Sequence, residues 1–123
     1  MIALAMLIAA AAADPVAGTW EGTSLCQIKP SPCHDEHVIH RIKSTGPRAY
    51  RIEAYKVVGG QEQYMGPLDM KLDPSGHHFD GSNTDRSGVV HPWLFTISGK
   101  HMSGRALTGP GGQVFRLIEI DKH

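Results

Sequence analysis

The sequence lacks any excess of charge of one sign. Its 12 Lys and Arg residues balance its 12 Asp and Glu residues, so the formal net charge is zero. Nucleic-acid binders normally carry basic residues that neutralise phosphates, and anionic membranes attract polybasic segments. The composition therefore argues against nucleic acid as a partner and against electrostatic attachment to a membrane.

Catalytic motifs are also missing. No serine lies in a Gly-x-Ser-x-Gly elbow, no carboxylate pair stands out for acid–base chemistry, and no glycine-rich phosphate loop precedes a helix. We therefore expect a protein that is not an enzyme and that has no cofactor. A His-dependent hydrolase or isomerase is the alternative, with His40 or His91 as the general base.

Long apolar runs are absent except at the N-terminus, where residues 2–13 contain only Ala, Leu, Ile and Met. This run is too short for a bilayer core, which needs about 20 residues, but it suits the apolar core of a secretory signal. Ala11 and Ala13 fit an Ala-x-Ala cleavage site. We therefore predict a signal peptide over 1–13 and one domain over 14–123, although no basic residue follows Met1. A buried N-terminal helix or strand is the alternative.

Cysteine is scarce, with Cys26 and Cys33 as the only pair. In an oxidising compartment such a pair forms a disulfide, whereas a metal or redox pair favours Cys-x-x-Cys spacing. Neither cysteine directly follows the apolar run, where it could carry a lipid. The sequence thus predicts one disulfide and a soluble exported product, either periplasmic or extracellular, with no membrane span.

Glycine and proline are plentiful, and all 14 Gly and 8 Pro lie after residue 13. Between them apolar residues alternate with the period of half-buried strands. The pattern predicts eight strands, over residues 17–28, 36–44, 48–58, 61–73, 77–82, 88–98, 101–108 and 114–121. Residues 31–36 also resemble a helix start, but the β-branched residues that follow favour a strand. We predict an all-β fold, a single antiparallel up-and-down barrel of about eight strands, because closure removes exposed edges. A β-sandwich is the alternative.

The first predicted strand contains Gly18, Thr19 and Trp20. This triplet resembles the Gly-x-Trp signature with which lipocalins and other calycins open their barrels. The resemblance implies that Trp20 closes one barrel end and that Arg116, from the last strand, stacks across it as a cation–π pair. The chain is shorter than a typical lipocalin and lacks its helix after the barrel, so the resemblance implies a superfamily fold and no particular ligand.

Several polar side chains fall on strand faces whose other members are apolar. Inward cationic or imidazole groups would suit an anionic or amphipathic ligand, with aromatic rings as walls. Each could instead be satisfied locally, and a register slip of one residue would turn it outward. We therefore expect a small-molecule-binding barrel whose ligand-binding residues are His40, Tyr50, Lys56, His91, Trp93, Phe95 and Arg116.

Two further features suggest other roles. Loop 27–35, braced by the two cysteines and two prolines, would suit docking to a protein, as in an inhibitor of a secreted protease or lysozyme. Residues 33–37, Cys-His-Asp-Glu-His, contain metal-ligand types and precede His40. A solvated corner beside a disulfide explains this run equally well, and we assign no metal site.

Overall fold

The computed structural model describes residues 14–28, 33–109 and 111–123. The predicted signal peptide and residues 29–32 of the predicted docking loop lie outside these ranges. The described parts form strands and no helix. The strands are β1 (Gly18–Cys26), β2 (Glu36–Gly46), β3 (Ala49–Val58), β4 (Gln61–Leu72), β5 (His78–Thr84), β6 (Val90–Ser98), β7 (His101–Leu107) and β8 (Val114–Lys122).

The eight strands close into a barrel in which each strand pairs antiparallel with its neighbours in sequence. β1 pairs with both β2 and β8, which completes the ring. The predicted up-and-down barrel is therefore confirmed, and the region with helix-start character enters strand β2 at Glu36. Turn residues end the strands: Gly59 and Gly60 both have positive φ, +57° and +77°, as a two-residue hairpin turn requires.

Inward-facing apolar side chains fill one end of the barrel, which we call the sealed end. Residues 14–17 lie across it, and the Val16 side chain is buried in the core. The Trp20 indole Nε1 donates a hydrogen bond to the Val16 carbonyl at 2.8 Å. The Asp14 carboxylate accepts from the Val16 amide and from the Tyr50 hydroxyl, each at 2.8 Å. The chain before β1 is thereby fixed to the barrel wall.

Trp20 lies at the sealed end, but the expected stacking of Arg116 on Trp20 is wrong. Trp20 pairs with Lys122 across β1 and β8, whereas Arg116 pairs with Cys26. Six residues along a strand span ~20 Å, so the two side chains lie at opposite ends of β1. Antiparallel pairing is the physical reason, because it sets the start of β8 beside the end of β1.

The predicted disulfide between Cys26 and Cys33 is confirmed, with their Cα atoms 5.8 Å apart. It joins the end of β1 to the segment that leads into β2. Within residues 14–28, 33–109 and 111–123, no helix is long and apolar enough to cross a membrane.

Candidate functional site

The end of the barrel opposite the sealed end, which we call the open end, contains a cavity of about 420 Å³. This volume falls in the range of small-molecule sites, ~300–1,000 Å³. Its apolar wall includes Val38, Met65, Leu68 and Trp93. Its polar lining includes Ser24, Glu36, His40, Lys56, Asn83 and Arg116.

Four of the seven predicted ligand-binding residues line this cavity. They are His40, Lys56, Trp93 and Arg116. Phe95 is buried beside them, and its ring meets the His40 ring edge-on with the centroids 6.2 Å apart. Strands β2, β3, β6 and β8 thus each contribute one of the predicted side chains to a common site.

Tyr50 and His91 lie elsewhere. Tyr50 is at the sealed end, where its hydroxyl bonds to Asp14 and its ring packs edge-on against Phe79 at 5.5 Å. His91 is half-buried near the open end and does not line the cavity. Strand alternation indicates which side chains face inward, but it does not give their height along the barrel axis.

Arg116 is held in place by several acceptors at the mouth of the cavity. Its Nη2 atom lies 2.6 Å from a Glu36 carboxylate oxygen, and its Nη1 atom donates to Ser24 Oγ at 3.2 Å and to the His34 carbonyl at 3.0 Å. The Lys56 ammonium lies 3.9 Å from the other Glu36 oxygen. Two cations therefore share one carboxylate, which leaves this wall with one positive charge in excess.

Two described polar residues of the cavity are buried, Ser24 and His40, and only 2% of the His40 surface is exposed. Desolvation lowers the pKa of His40 to about 4, so the imidazole is neutral near pH 7. A neutral ring has one N–H donor and one acceptor nitrogen. Its Nδ1 atom is buried and has no hydrogen-bond partner in the described part of the protein. Such an unsatisfied group costs ~1–3 kcal/mol and is uncommon in native proteins.

The β5–β6 loop at the open end is organised by Asp85. One carboxylate oxygen accepts from the Ser87 amide and hydroxyl and from the Val89 amide, and the other lies 2.8 Å from His91 Nε2. The hydrogen bonds from Ser87 and His91 hold the pKa of Asp85 well below its usual range. His91 Nδ1 also approaches the Leu107 carbonyl, so both ring nitrogens face acceptors. The hydrogen bond to Asp85 raises the pKa of His91.

A Ser–His–Asp grouping occurs on the outer face of β7 and β8. His101 lies 2.8 Å from Asp121 through Nδ1 and 2.6 Å from Glu119 through Nε2. Ser103 Oγ donates to Glu119 at 2.7 Å. The hydrogen bonds to Asp121 and Glu119 raise the pKa of His101. Ser103 Oγ lies 3.2 Å from His101 Nε2, but its proton is donated to Glu119. This grouping is a cross-strand ion cluster on an open surface.

The predicted docking loop is anchored at its described ends. The Asp35 carboxylate accepts from the Cys26 amide at 2.8 Å, next to the disulfide. In the neighbouring segment His37 pairs with Glu21 at 2.8 Å. Among the residues that the structure describes, no three His, Cys, Asp or Glu side chains are placed to hold a metal ion. Docking of a protein through loop 27–35 stays a prediction.

Four polar residues of the cavity were missed by the sequence reasoning: Ser24, Glu36, Asn83 and Thr84. Glu36 has the same parity as His40 in β2, so the alternation that singled out His40 also marks Glu36. Asn83 Oδ1 accepts from the Trp93 indole at 2.6 Å. The sequence has no local signal for this contact, because it depends on the pairing of β5 with β6.

The closed eight-stranded antiparallel barrel agrees with the calycin resemblance at the level of architecture. No protein-family model, curated protein or solved structure matches the chain.

Proposed function

We propose that the protein is an exported binding module that holds a small organic anion in the cavity at the open end of its barrel. The observation that carries this proposal is a pocket of about 420 Å³ whose mouth has two cations around one carboxylate. Export is part of the proposal and is supported by the predicted signal peptide together with the disulfide.

The side chains of the two cations are held to different degrees, so we assign them different roles in binding an anion. Arg116 is fixed by Glu36, Ser24 and the backbone of His34, and its side chain is 15% exposed. The Lys56 side chain is 38% exposed and contacts Glu36 only at 3.9 Å. Arg116 would supply a fixed positive field, while Lys56 could turn towards an incoming carboxylate as a mobile point charge.

The walls suit the apolar part of such a ligand. Trp93 is oriented by its bond to Asn83, and Met65 is 43% exposed at the rim. Leu68 lies deeper and is buried. An amphipathic acid would place its carboxylate at the mouth and its hydrocarbon against these side chains, where burial contributes about 25 cal/mol per Å².

The test compares decanoic acid with decanol at neutral pH, using Trp fluorescence and displacement of an apolar fluorescent probe. We expect one saturable site that binds decanoate about tenfold more tightly than decanol, which corresponds to about 1.4 kcal/mol. Lys56→Gln should weaken decanoate binding about three- to tenfold and leave decanol binding unchanged.

Lys43→Gln is the matched control, because Lys43 is exposed on the outer face of β2 and does not line the cavity. It removes the same charge from the molecule, so its decanoate affinity should equal that of the wild type. Equal binding of acid and alcohol, or no saturable binding of the acid, would refute the proposal.

A further inference from the structure

The cavity has a second polar group, well below its cationic mouth. His40 lies on β2 four residues after Glu36, the ion-pair partner of Arg116, and two residues after Val38, which pairs with Lys56. At ~3.3 Å per residue these separations are roughly 13 and 7 Å along the strand. The mouth and the His40 ring are therefore far enough apart to contact opposite ends of one small ligand.

The surroundings of His40 are apolar. Trp20 pairs with it on β1 and Ala54 on β3, the Phe95 ring meets it edge-on, and Val38 and Leu68 also lie in this part of the wall. The apolar side chains among these offer no hydrogen bond, and the Trp20 indole N–H donates to the Val16 carbonyl instead. Nδ1 has no partner among the residues described and almost no accessible surface, so an occupant of the cavity would reach the ring at Nε2. A cavity floor of this kind leaves Nε2 as the imidazole atom with which an occupant of the cavity can form a hydrogen bond.

The chemistry of the ring restricts what that occupant can present. A neutral imidazole has one donor and one acceptor, and which nitrogen carries the proton is not fixed by a protein partner. A hydroxyl can donate or accept and so matches either tautomer. A second carboxylate or an ammonium group would be desolvated here without a counter-ion, which is strongly unfavourable.

We infer that the cavity is built for a two-ended ligand, an organic acid whose carboxylate lies at the mouth and whose far end carries a hydroxyl that hydrogen-bonds to His40. This inference rests on the proposed anion-binding function and adds the chemistry of the far end. An extended aliphatic ω-hydroxy acid of medium chain length would span the roughly 13 Å between the strand positions of His40 and of Glu36, the ion-pair partner of Arg116.

Titration calorimetry of the wild-type protein with three acids of equal chain length tests this. The acids are ω-hydroxydecanoic, decanoic and decanedioic acid, at neutral pH. We expect ω-hydroxydecanoate to bind about three- to tenfold more tightly than decanoate, the ratio that one additional hydrogen bond gives. Decanedioate should bind more weakly than both, because its second charge meets the apolar floor.

Two variants assign the preference to His40. His40→Leu should abolish the preference for the hydroxy acid, so that ω-hydroxydecanoate and decanoate bind with equal affinity. His40→Gln should keep part of the preference, because its amide donates and accepts. If His40→Leu does not fold, the inference is tested by the ratio of the wild-type affinities for ω-hydroxydecanoate and decanoate, together with the imidazole nitrogen NMR shifts of His40. These shifts should change with the hydroxy acid and not with decanoate.

The failures are distinguishable. If decanoate binds as tightly as the hydroxy acid or more tightly, the role of His40 is refuted while the anion-binding function stands. If the hydroxy acid is preferred equally by wild type and His40→Leu, the hydroxyl lies elsewhere and the inference is refuted. If none of the three acids binds, both the inference and the proposed function fall.

Discussion

At the scale of single residues, the burial of His40 makes the stability of the protein depend on pH. Its folded-state pKa of about 4 lies below the ordinary value of 6.5 because burial disfavours the charged ring. Between these values the unfolded chain binds a proton that the folded chain does not, so the free energy of unfolding decreases as pH falls from about 6.5 towards 4. The full effect of this residue is about 3 kcal/mol.

The measurement is urea unfolding of wild type and His40→Gln at several pH values between 4 and 7. We expect the stability difference, wild type minus variant, to become more negative as the pH falls, because the variant lacks the titrating ring. Other groups cancel in this difference. A difference that stays constant across the range would show that His40 has the same pKa in the folded and unfolded states, as a solvated ring does.

A second residue-scale prediction concerns Tyr50 at the sealed end. Burial and the hydrogen bond to Asp14 raise the pKa of Tyr50 to about 12. Tyr50→Phe removes the hydroxyl that Asp14 accepts from, and we expect it to lower the free energy of unfolding by about 1–2 kcal/mol. Chemical denaturation measures the change.

Tyr64→Phe is the control for this substitution. Tyr64 also donates to a carboxylate, that of Glu53, but its side chain is 54% exposed and water can replace the contact. We expect little change in its unfolding midpoint. If both variants lose the same stability, the contact between Tyr50 and Asp14 does not fasten the N-terminal segment.

At the scale of strands, Gly104 on β7 gives space to the core beside the site. A Cβ atom at Gly104 would overlap the ring of Phe95, which itself contacts His40. Gly104→Ala should therefore force the Phe95 ring to move and destabilise the protein by about 1–3 kcal/mol through overpacking. Thermal or urea unfolding measures the loss, and decanoate titration shows whether the cavity changes with it.

Gly46→Ala on β2 is the matched control, since a Cβ there meets only the Ala49 side chain, at 3.9 Å. It makes the same chemical change in a strand without a clash. We expect its stability to lie within about 0.5 kcal/mol of the wild type, as for most surface substitutions. If Gly104→Ala and Gly46→Ala have the same free energy of unfolding, the Phe95 ring has room to shift.

The strands could be predicted from the sequence, whereas the residues of the cavity could be predicted only in part. Gly and Pro turns end the strands, and alternation marks their inner faces, so strand limits follow from local chemistry. Whether Tyr50 or Lys56 reaches a given end depends on strand direction and pairing. Both lie on β3, but near opposite ends of it, and only the pairing with β2 brings Lys56 beside Glu36.

The case of Arg116 has the same cause. The apolar neighbours of Arg116 in β8 correctly indicate that it faces inward, whereas the resemblance of the first strand implies a position beside Trp20. In an antiparallel pair, a residue near the start of β8 must face the end of β1, and Cys26 is the residue there. The antiparallel pairing of β1 with β8 therefore places Arg116 at the cavity and not beside Trp20.

At the scale of the whole molecule, the barrel has two unlike ends. Residues 14–17 and Trp20 fill one end, while the other holds the cavity and the disulfide. Arg116 connects the cavity to the disulfide-bonded segment, because its guanidinium donates to the carbonyl of His34, the residue after Cys33. The position of the Arg116 charge in the cavity therefore depends on how firmly the segment after Cys33 is held.

Replacing both Cys26 and Cys33 with serine tests this coupling. The loop-closure model assigns about 2.5 kcal/mol to a ring of this length, so the unfolding midpoint in urea should fall accordingly. Because the carbonyl of His34 is then less fixed, Arg116 loses part of its support. We expect the dissociation constant for decanoate to rise about threefold. If stability falls while decanoate affinity is unchanged, Glu36 and Ser24 alone position Arg116, and the open end is organised independently of the disulfide.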